Sequence, residues 1–367
     1  MSKQIVKRKK NWLLFTFLSI TIFLSSCLQE SNKERRDNTS DSDPEKSRQL
    51  STEQQVHSYN VKNKPNLSSS PKLKKVIDDL LLLSKKKNLP LEDISITIID
   101  VKENAWAQYK GETSRYPASI PKLFWLVIAY SYVESGQVNL DSQLANSIKK
   151  MIEKSDNEGA SRVIDQITNT KSGAVLSEQN FNNWLQKRGQ LNDFFKEADY
   201  DNINISQKTY PIPYLEEYGN APKGRELKMR HLGKRDKNNP IRNKLTTNNS
   251  ARLMYEIVNE KAISPEYSRK IQDHLERDLN PEAWKNIDPN FEFNPVLAFF
   301  GESLPAEVTL LSKAGWTSST RHEVAYITTP DQEAKYILAI FTEDKTYAQN
   351  WDIFPEFSEV VFKAMTN

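Results

Sequence analysis

Short apolar segments of differing periodicity fill the first part of the sequence after residue 70. Residues 73–83 carry apolar side chains at helical spacing, which predicts an amphipathic helix. Residues 94–101 are rich in β-branched side chains, and residues 106–109 are expected to pair with them across a polar turn. Residues 123–130 are apolar on every side, so they predict a helix that is buried on all faces.

The rest of the chain changes from helical patterns to strand patterns. Helical spacing dominates from residue 141 onward and is interrupted by a polar, loop-rich stretch at about 199–243. Three strands and a last amphipathic helix are then predicted at residues 308–312, 323–328, 336–341 and 357–365. Strands at both ends with helices between them predict an α/β fold, in which helices flank an antiparallel sheet.

The N-terminal 70 residues have a different composition. Basic residues precede an apolar run at 12–24 that is short for a membrane span and ends in small residues, as in a cleaved signal peptide. The sequence Leu-Ser-Ser-Cys resembles a bacterial lipobox, which implies lipid attachment at Cys27. The stretch that follows is too polar to bury a core. We expect a lipoprotein signal peptide at 1–26, a disordered tether at 27–70 and one folded domain at 71–367.

This N-terminus predicts a protein that works outside the cytoplasm, even if the apolar run is an uncleaved anchor helix. Leu28 follows the cysteine where the usual inner-membrane retention signal has aspartate. We therefore expect a lipoprotein on the periplasmic face of the outer membrane or at the cell surface, held to the membrane by a lipid on Cys27.

Composition removes several classes of function. The net charge is only +3, from 51 Lys and Arg against 48 Asp and Glu, and no basic stripe suggests nucleic acid as a partner. The four histidines are scattered and Cys27 is the only cysteine, so neither a zinc site nor a disulfide is expected. We expect no metal and no cofactor. The sequence leaves the oligomeric state open.

A serine and a lysine precede the buried helix. Ser119 and Lys122 lie one turn apart if a helix starts here, so they face the same way. A serine hydroxyl needs a neighbouring base to act as a nucleophile, and a lysine amine loses basicity when it is buried. Ser69 and Lys72 have the same spacing in a polar setting, so spacing alone is weak evidence.

Two further short motifs follow Ser119 and Lys122 along the chain, and their order is informative. Ser155, Asp156 and Asn157 separate two helical stretches, where such residues also serve as ordinary helix caps. Lys313 and Gly315 follow a strand-like run and can place a cation and an exposed backbone N–H beside a cleft.

Taken together, Ser-x-x-Lys, Ser-Asp-Asn and Lys-Ala-Gly resemble the active-site set of class A β-lactamases and penicillin-binding proteins. The similarity extends over the surrounding segments from about residue 72 to 366. It implies an antiparallel sheet flanked by helices, an all-helical subdomain and an active site between the two. It also implies a serine hydrolase that forms an acyl-enzyme on β-lactams or on related amides such as peptidoglycan-derived peptides.

The resemblance assigns the catalytic roles. Ser119 attacks the amide carbonyl, Lys122 takes or relays its proton, and Ser155 passes a proton to the departing nitrogen. Asn157 binds the substrate side chain, and Lys313 attracts the substrate carboxylate.

It also assigns the remaining substrate contacts. The oxyanion hole is formed by the backbone N–H of Ser119 and by that of Trp316, which follows Gly315 in the chain. Thr317 and Ser318 are candidate substitutes for the hydroxyl that the family has at position 314, where this chain has alanine. Arg321 lies where the family often keeps an arginine for the substrate carboxylate. The neighbouring His322 is expected at the surface of its strand.

Departures from the family pattern concern the hydrolysis of the acyl-enzyme. Class A β-lactamases use a glutamate in an E-x-x-L-N loop that precedes their paired threonines, and no such sequence occurs here between Ser155 and the paired Thr246 and Thr247. Candidate substitutes are Glu216, Glu197, Asp199 and Asp201, each of which also fits a solvated loop carboxylate. Asn243 stands where the family has a loop-closing aspartate. Efficient turnover of β-lactams is therefore not expected.

Three functions remain open at this stage. The first is a β-lactamase-like acyl-transfer hydrolase. The second is a D,D-peptidase or penicillin-binding protein of cell-wall metabolism, which the missing glutamate favours. The third is a non-catalytic lipoprotein that uses the same fold to bind a partner. A Ser–His–Asp hydrolase is disfavoured because no histidine has a suitable motif around it.

Overall fold

In a computed structural model of the chain, the described residues are 58–215, 219, 221–287 and 293–367. Six strands form one sheet, in the order β1-β3-β2-β6-β5-β4. They are β1 (Ser68–Ser69), β2 (Ile94–Asp100), β3 (Ala105–Tyr109), β4 (Thr309–Thr317), β5 (Thr320–Thr328) and β6 (Lys335–Thr342). Neighbouring strands are antiparallel except that β1 runs parallel to β3.

Eleven α-helices of the described residues pack around this sheet. They are α1 (Pro71–Lys86), α2 (Pro121–Glu134), α3 (Ser142–Glu153), α4 (Asn157–Thr168), α5 (Glu178–Lys196), α6 (Gly224–Arg230), α7 (Thr247–Val258), α8 (Pro265–Leu275), α9 (Pro281–Trp284), α10 (Lys345–Gln349) and α11 (Ile353–Thr366). Among the described residues, no helix is long and apolar enough to cross a membrane.

Two hydrophobic cores lie on opposite faces of the sheet. On one face, α1 and α11 pack over side chains such as Ile96, Leu310 and Leu338. On the other face, α7 packs against the sheet and continues into a layer built from α2, α3, α4, α5 and α8. This arrangement confirms the predicted antiparallel sheet flanked by helices.

The centre of the helical layer is α2, which the sequence predicted to be buried on every face. Twelve of its fourteen residues are buried. Such a helix cannot form a stripe-like interface and must be enclosed by other helices. Its first residue is Pro121, where a missing N–H costs nothing, so the chain enters the helix directly after Ser119 and Ile120.

Two expectations about element boundaries need correction. The stretch at 199–243 is rich in loops, as predicted, and contains one helix, α6, whose Glu226 and Met229 are buried. The strand predicted at 308–312 extends to Thr317, which brings Lys313 and Gly315 into the sheet. The last helix begins at Ile353, ahead of the predicted start at residue 357.

The expected tether is also too long at its C-terminal end. Tyr59 is fully buried, its backbone N–H donates to Phe194 O (2.8 Å), and its hydroxyl donates to Glu256 Oε2 (2.6 Å). Composition did not reveal this because only a few apolar side chains anchor an otherwise polar segment: Tyr59 and the half-buried Val61 and Leu67. The predicted signal peptide, Cys27 and most of the tether lie outside the described residues.

We predict that Tyr59→Ala lowers the free energy of unfolding by about 3–5 kcal/mol, as expected for removing a buried aromatic ring. Lys62→Ala is the matched control on the same segment, because the Lys62 amine bonds only Glu197 and Ser58, and both bonds are exposed to solvent. Urea unfolding followed by circular dichroism measures both. Equal midpoints for Tyr59→Ala and the parent chain would show that this segment is not part of the cooperative fold.

Candidate active site

Ser119 lies in a tight turn just before α2. The preceding Ala118 has φ of +48°, a left-handed conformation that alanine adopts only when its surroundings require it. Backbone hydrogen bonds from Ile120 N to Pro117 O (3.0 Å) and from Lys122 N to Ser119 O (3.3 Å) close the turn. The geometry fixes the direction of the half-buried Ser119 side chain.

The amine of Lys122 lies beside this serine and is closed off from solvent. Its Nζ is 3.1 Å from Ser119 Oγ, 2.5 Å from Ser155 O, 3.5 Å from Ser155 Oγ and 2.7 Å from Asn157 Oδ1. Burial lowers the pKa of Lys122 to about 7, against a smaller opposing effect of Asp156. The amine is therefore partly unprotonated at neutral pH.

The Ser-Asp-Asn element lies at the junction between α3 and α4, and its residues serve two different functions. Asp156 caps α4, since its Oδ1 accepts from Gly159 N (2.5 Å). Ser155 and Asn157, on either side of this cap, both face Lys122. The helix-cap interpretation and the active-site interpretation therefore apply to different residues of the same element.

Lys313, on strand β4 of the sheet, is hydrogen-bonded to the Ser155 side of this cluster. Its Nζ donates to Ser155 Oγ (3.0 Å) and to Ala314 O (2.7 Å), and the side chain is almost fully buried. Burial depresses the pKa of Lys313 far below its usual value, and the nearby Lys122 and Arg277 add to this effect. Ser119, Lys122, Ser155 and Lys313 thus form one connected row.

Gly315 allows β4 to approach the nucleophile turn closely. A Cβ at this position would lie 3.0 Å from Ser119 N and 3.1 Å from Pro117 O, closer than such atoms normally come. Thr317 lies two residues after Gly315, on the same face of the strand as Lys313. Its Oγ1 is 2.8 Å from Oγ1 of Thr320. Ala314 points to the opposite face and is fully buried there.

The expectation for Arg321 needs correction. Arg321 pairs with Trp316 in the β4–β5 ladder, so both side chains lie on the face away from Lys313. The guanidinium is buried and donates to the carbonyls of Ala298 (2.8 Å) and Ala348 (3.0 Å). It supports the α10 side of the sheet and is not directed at the cleft. Trp316 can offer the cleft only its backbone, because its Nε1 donates to Ala348 O (2.9 Å).

The sheet register instead places His322 opposite Gly315, on the face of Lys313. His322 is fully buried, contrary to the surface position expected from the sequence. Its Nδ1 accepts from Thr342 N (3.1 Å), so the proton is assigned to Nε2, which donates to Tyr116 O (2.9 Å). Burial lowers the pKa of His322 to about 3. This neutral ring ties the nucleophile turn to the sheet.

The carboxylates considered for acyl-enzyme hydrolysis do not reach Lys122. Glu197 is exposed and pairs with Lys62 (2.9 Å), while Asp199 and Asp201 are also exposed. Glu216 lies outside the described residues. Within the described part of the chain, no carboxylate accepts a hydrogen bond from the lysines of the site.

A residue that sequence reasoning missed lies next to this cluster. The carbonyl of Tyr210 accepts from Asn157 Nδ2 (2.5 Å), so the loop carrying Tyr210 borders the site. Asn243 holds the start of that loop, since its side chain bonds both Gln207 N (2.9 Å) and Gln207 O (2.8 Å). Asn243 thus joins the two ends of the loop through its neutral amide.

No group of metal-binding side chains occurs among the described residues.

Known structures share this fold at low sequence identity. The β-lactamase from Sphaerobacter thermophilus DSM 20745 is 16% identical, with a TM-score of 0.54 over 80% of this chain and 97% of that one. PBP-A is 15% identical, with a TM-score of 0.54 over 83% and 99%. An ancestral (GNCA) class A β-lactamase is 16% identical, with a TM-score of 0.53 over 79% and 99%.

A search of curated protein sequences finds no significant match. The sequence model of the β-lactamase enzyme family, however, matches residues 72–365, which is most of the chain and includes the whole row from Ser119 to Lys313. The fold agrees with that match. The chain belongs to the β-lactamase enzyme family.

Proposed function

We propose that the protein is a serine hydrolase that forms an acyl-enzyme at Ser119 on β-lactams or on related amides of cell-wall peptides. The observation that carries this proposal is the buried Lys122 amine, 3.1 Å from Ser119 Oγ and with its pKa lowered to about 7. A base of this strength suits proton transfer from a serine at neutral pH. Among the described residues, no histidine hydrogen-bonds Ser119.

Acylation follows from the row of contacts. Ser119 Oγ bonds to the amide carbonyl carbon while its proton passes to Lys122 Nζ. The C–N bond then breaks, and the nitrogen takes a proton from Ser155 Oγ, which lies 3.5 Å from Lys122 Nζ and 3.0 Å from Lys313 Nζ. Ser155 recovers its proton from Lys122, so the amine is again neutral when the ester has formed.

Transition-state stabilisation is assigned to the gap between β4 and the nucleophile turn. As β4 is the edge strand of the sheet, part of its backbone N–H groups have no strand partner. We assign the N–H groups of Ser119 and Trp316 to the oxyanion, and such a donor contributes about 3–4 kcal/mol. Lys313 and Thr317 lie on the same face of the strand and fit a substrate carboxylate.

The fate of the acyl-enzyme distinguishes a β-lactamase from a penicillin-binding protein. The sequence between Ser155 and Thr246 lacks the E-x-x-L-N glutamate of class A β-lactamases, and among the described residues no carboxylate hydrogen-bonds Lys122. This absence favours a long-lived penicilloyl ester, and makes a D,D-peptidase the second candidate function. One structure similar to this chain is an acyl-enzyme complex of a PBP-A mutant with penicillin-G.

We predict that benzylpenicillin adds once to the chain and that the adduct persists for minutes or longer. Ser119→Ala abolishes the adduct because the attacking oxygen is gone. Ser69→Ala, which alters an exposed serine of the same Ser-x-x-Lys spacing, leaves it unchanged. Intact-protein mass spectrometry over a time course measures all three proteins.

The possible outcomes separate the candidate functions. A persistent adduct with release of D-alanine from muropeptides supports the D,D-peptidase, and a persistent adduct alone supports the slow hydrolase. Rapid turnover of penicillin contradicts the account of deacylation. Absence of any adduct contradicts the proposal as a whole and favours a non-catalytic binding lipoprotein.

We further predict that Gly315→Ala slows acylation by a fluorescent penicillin about 10²–10³-fold. The new Cβ meets backbone atoms of Ser119 and Pro117, so β4 must move away and widen the oxyanion site. Gly189→Ala is the matched control, since its Cβ would have no neighbour closer than 3.9 Å. Stopped-flow labelling measures both. A Gly315→Ala rate within about twofold of the parent would refute the assigned oxyanion geometry.

A further inference from the structure

A cavity of about 680 Å³ lies at the C-terminal end of α4, away from the Ser119 site. It is bordered by the α2–α3 connection, by the C-terminal turn of α4 and by Tyr214. Asp165 of its lining is eight residues beyond Asn157 on α4, which places the cavity about 12 Å along the helix from the Ser119 site. Its volume lies in the range of small-molecule binding sites.

Tyr214 forms a rigid aromatic wall of this cavity. Its hydroxyl donates to Asp165 Oδ2 (2.6 Å) and accepts from Ser172 N (2.9 Å) and Lys208 Nζ (3.0 Å). Three bonds at one atom hold the end of the ring in place, although the residue is 38% exposed. A fixed, partly exposed ring offers its apolar face to a flat ligand without losing further freedom of rotation.

Five carboxamide side chains share the same lining. None of them has a hydrogen bond to another side chain in the described parts of the protein, and four of the five are exposed: Gln137, Asn139, Gln143, Gln166 and Asn169. A carboxamide both donates and accepts, as a sugar hydroxyl does. A cluster of unpaired carboxamides around an aromatic ring therefore matches a polyhydroxylated ring better than an apolar ligand.

The charges of the cavity favour an anion. Asp165 is neutralised by the fully buried Lys208, whose Nζ is 2.5 Å from Asp165 Oδ1. Arg162 and Lys171 also line the cavity, and neither pairs with an acidic side chain of the described residues. Among the described residues, the positive charge of Arg162 and Lys171 is therefore uncompensated, which suits a carboxylate on the ligand.

We propose that this cavity is a carbohydrate site that takes an acidic amino sugar or a glycan containing one. Tyr214 stacks on the sugar ring, the carboxamides bond its hydroxyl and acetamido groups, and Arg162 pairs with its carboxylate. The site is separate from Ser119 and requires no covalent chemistry, so it is independent of the proposed hydrolase activity.

The test is a titration of the full chain, in mild detergent and carrying Ser119→Ala, with N-acetylmuramic acid and N-acetylglucosamine. These sugars share the same ring, but only the first has a carboxylate. Changes in the side-chain amide signals of Asn and Gln by NMR give the dissociation constants. We expect saturable binding of N-acetylmuramic acid, at least about fivefold tighter than that of N-acetylglucosamine.

Three variants make the result specific. Arg162→Gln removes the preference between the sugars, and Tyr214→Ala weakens both. Arg235→Gln, which alters an exposed arginine outside the cavity, changes neither. Binding of neither sugar overturns the proposal. The proposal is also overturned if both sugars bind with equal dissociation constants that Arg162→Gln does not change. It is overturned as well if Arg235→Gln weakens binding as much as Arg162→Gln does.

Discussion

The amine of Lys122 is held out of water and surrounded by four oxygen atoms from Ser119, Ser155 and Asn157. Burial favours its neutral form, whereas the charge of the nearby Asp156 favours the charged form. Burial has the larger effect, and the pKa falls to about 7. The surrounding structure maintains this balance: the apolar α2 encloses the lysine, the α3–α4 junction supplies the acceptors, and β4 closes the remaining side.

Sheet geometry decides which β4 and β5 residues meet this amine. Alternation along the strands directs Lys313 and His322 towards the nucleophile turn and Arg321 away from it. Gly315 lets the strand approach the turn, and His322 ties Tyr116 to the strand as a neutral donor. The site therefore depends on a close contact between one edge strand and one turn, with no metal-binding cluster among the described residues.

The sequence was sufficient for features encoded locally. Periodicity predicted α2 and the main strands. The grouping of Ser119, Lys122, Ser155 and Lys313 in one site came instead from the resemblance of three ordered motifs to a known family. The sequence failed where contacts join distant segments. Arg321 and His322 are adjacent, and only the strand register decides which one faces the cleft.

Other features were missed for the same reason. Tyr59 is buried by Glu256 and the aromatic residues of α5, which lie more than a hundred residues away. Composition of the N-terminal segment alone therefore predicted a tether. Tyr210 borders the site only through its backbone carbonyl, and a backbone contact leaves no motif in the sequence.

The most direct test of this account is the ionisation of Lys122 itself. In protein labelled with ¹³C- and ¹⁵N-lysine, the Lys122 signal is identified by its absence in Lys122→Met and followed by NMR from pH 5 to pH 11. The account predicts a midpoint near pH 7, so that the amine is charged below and neutral above. A midpoint near the usual value for lysine, about 10.4, would contradict its assignment as the base.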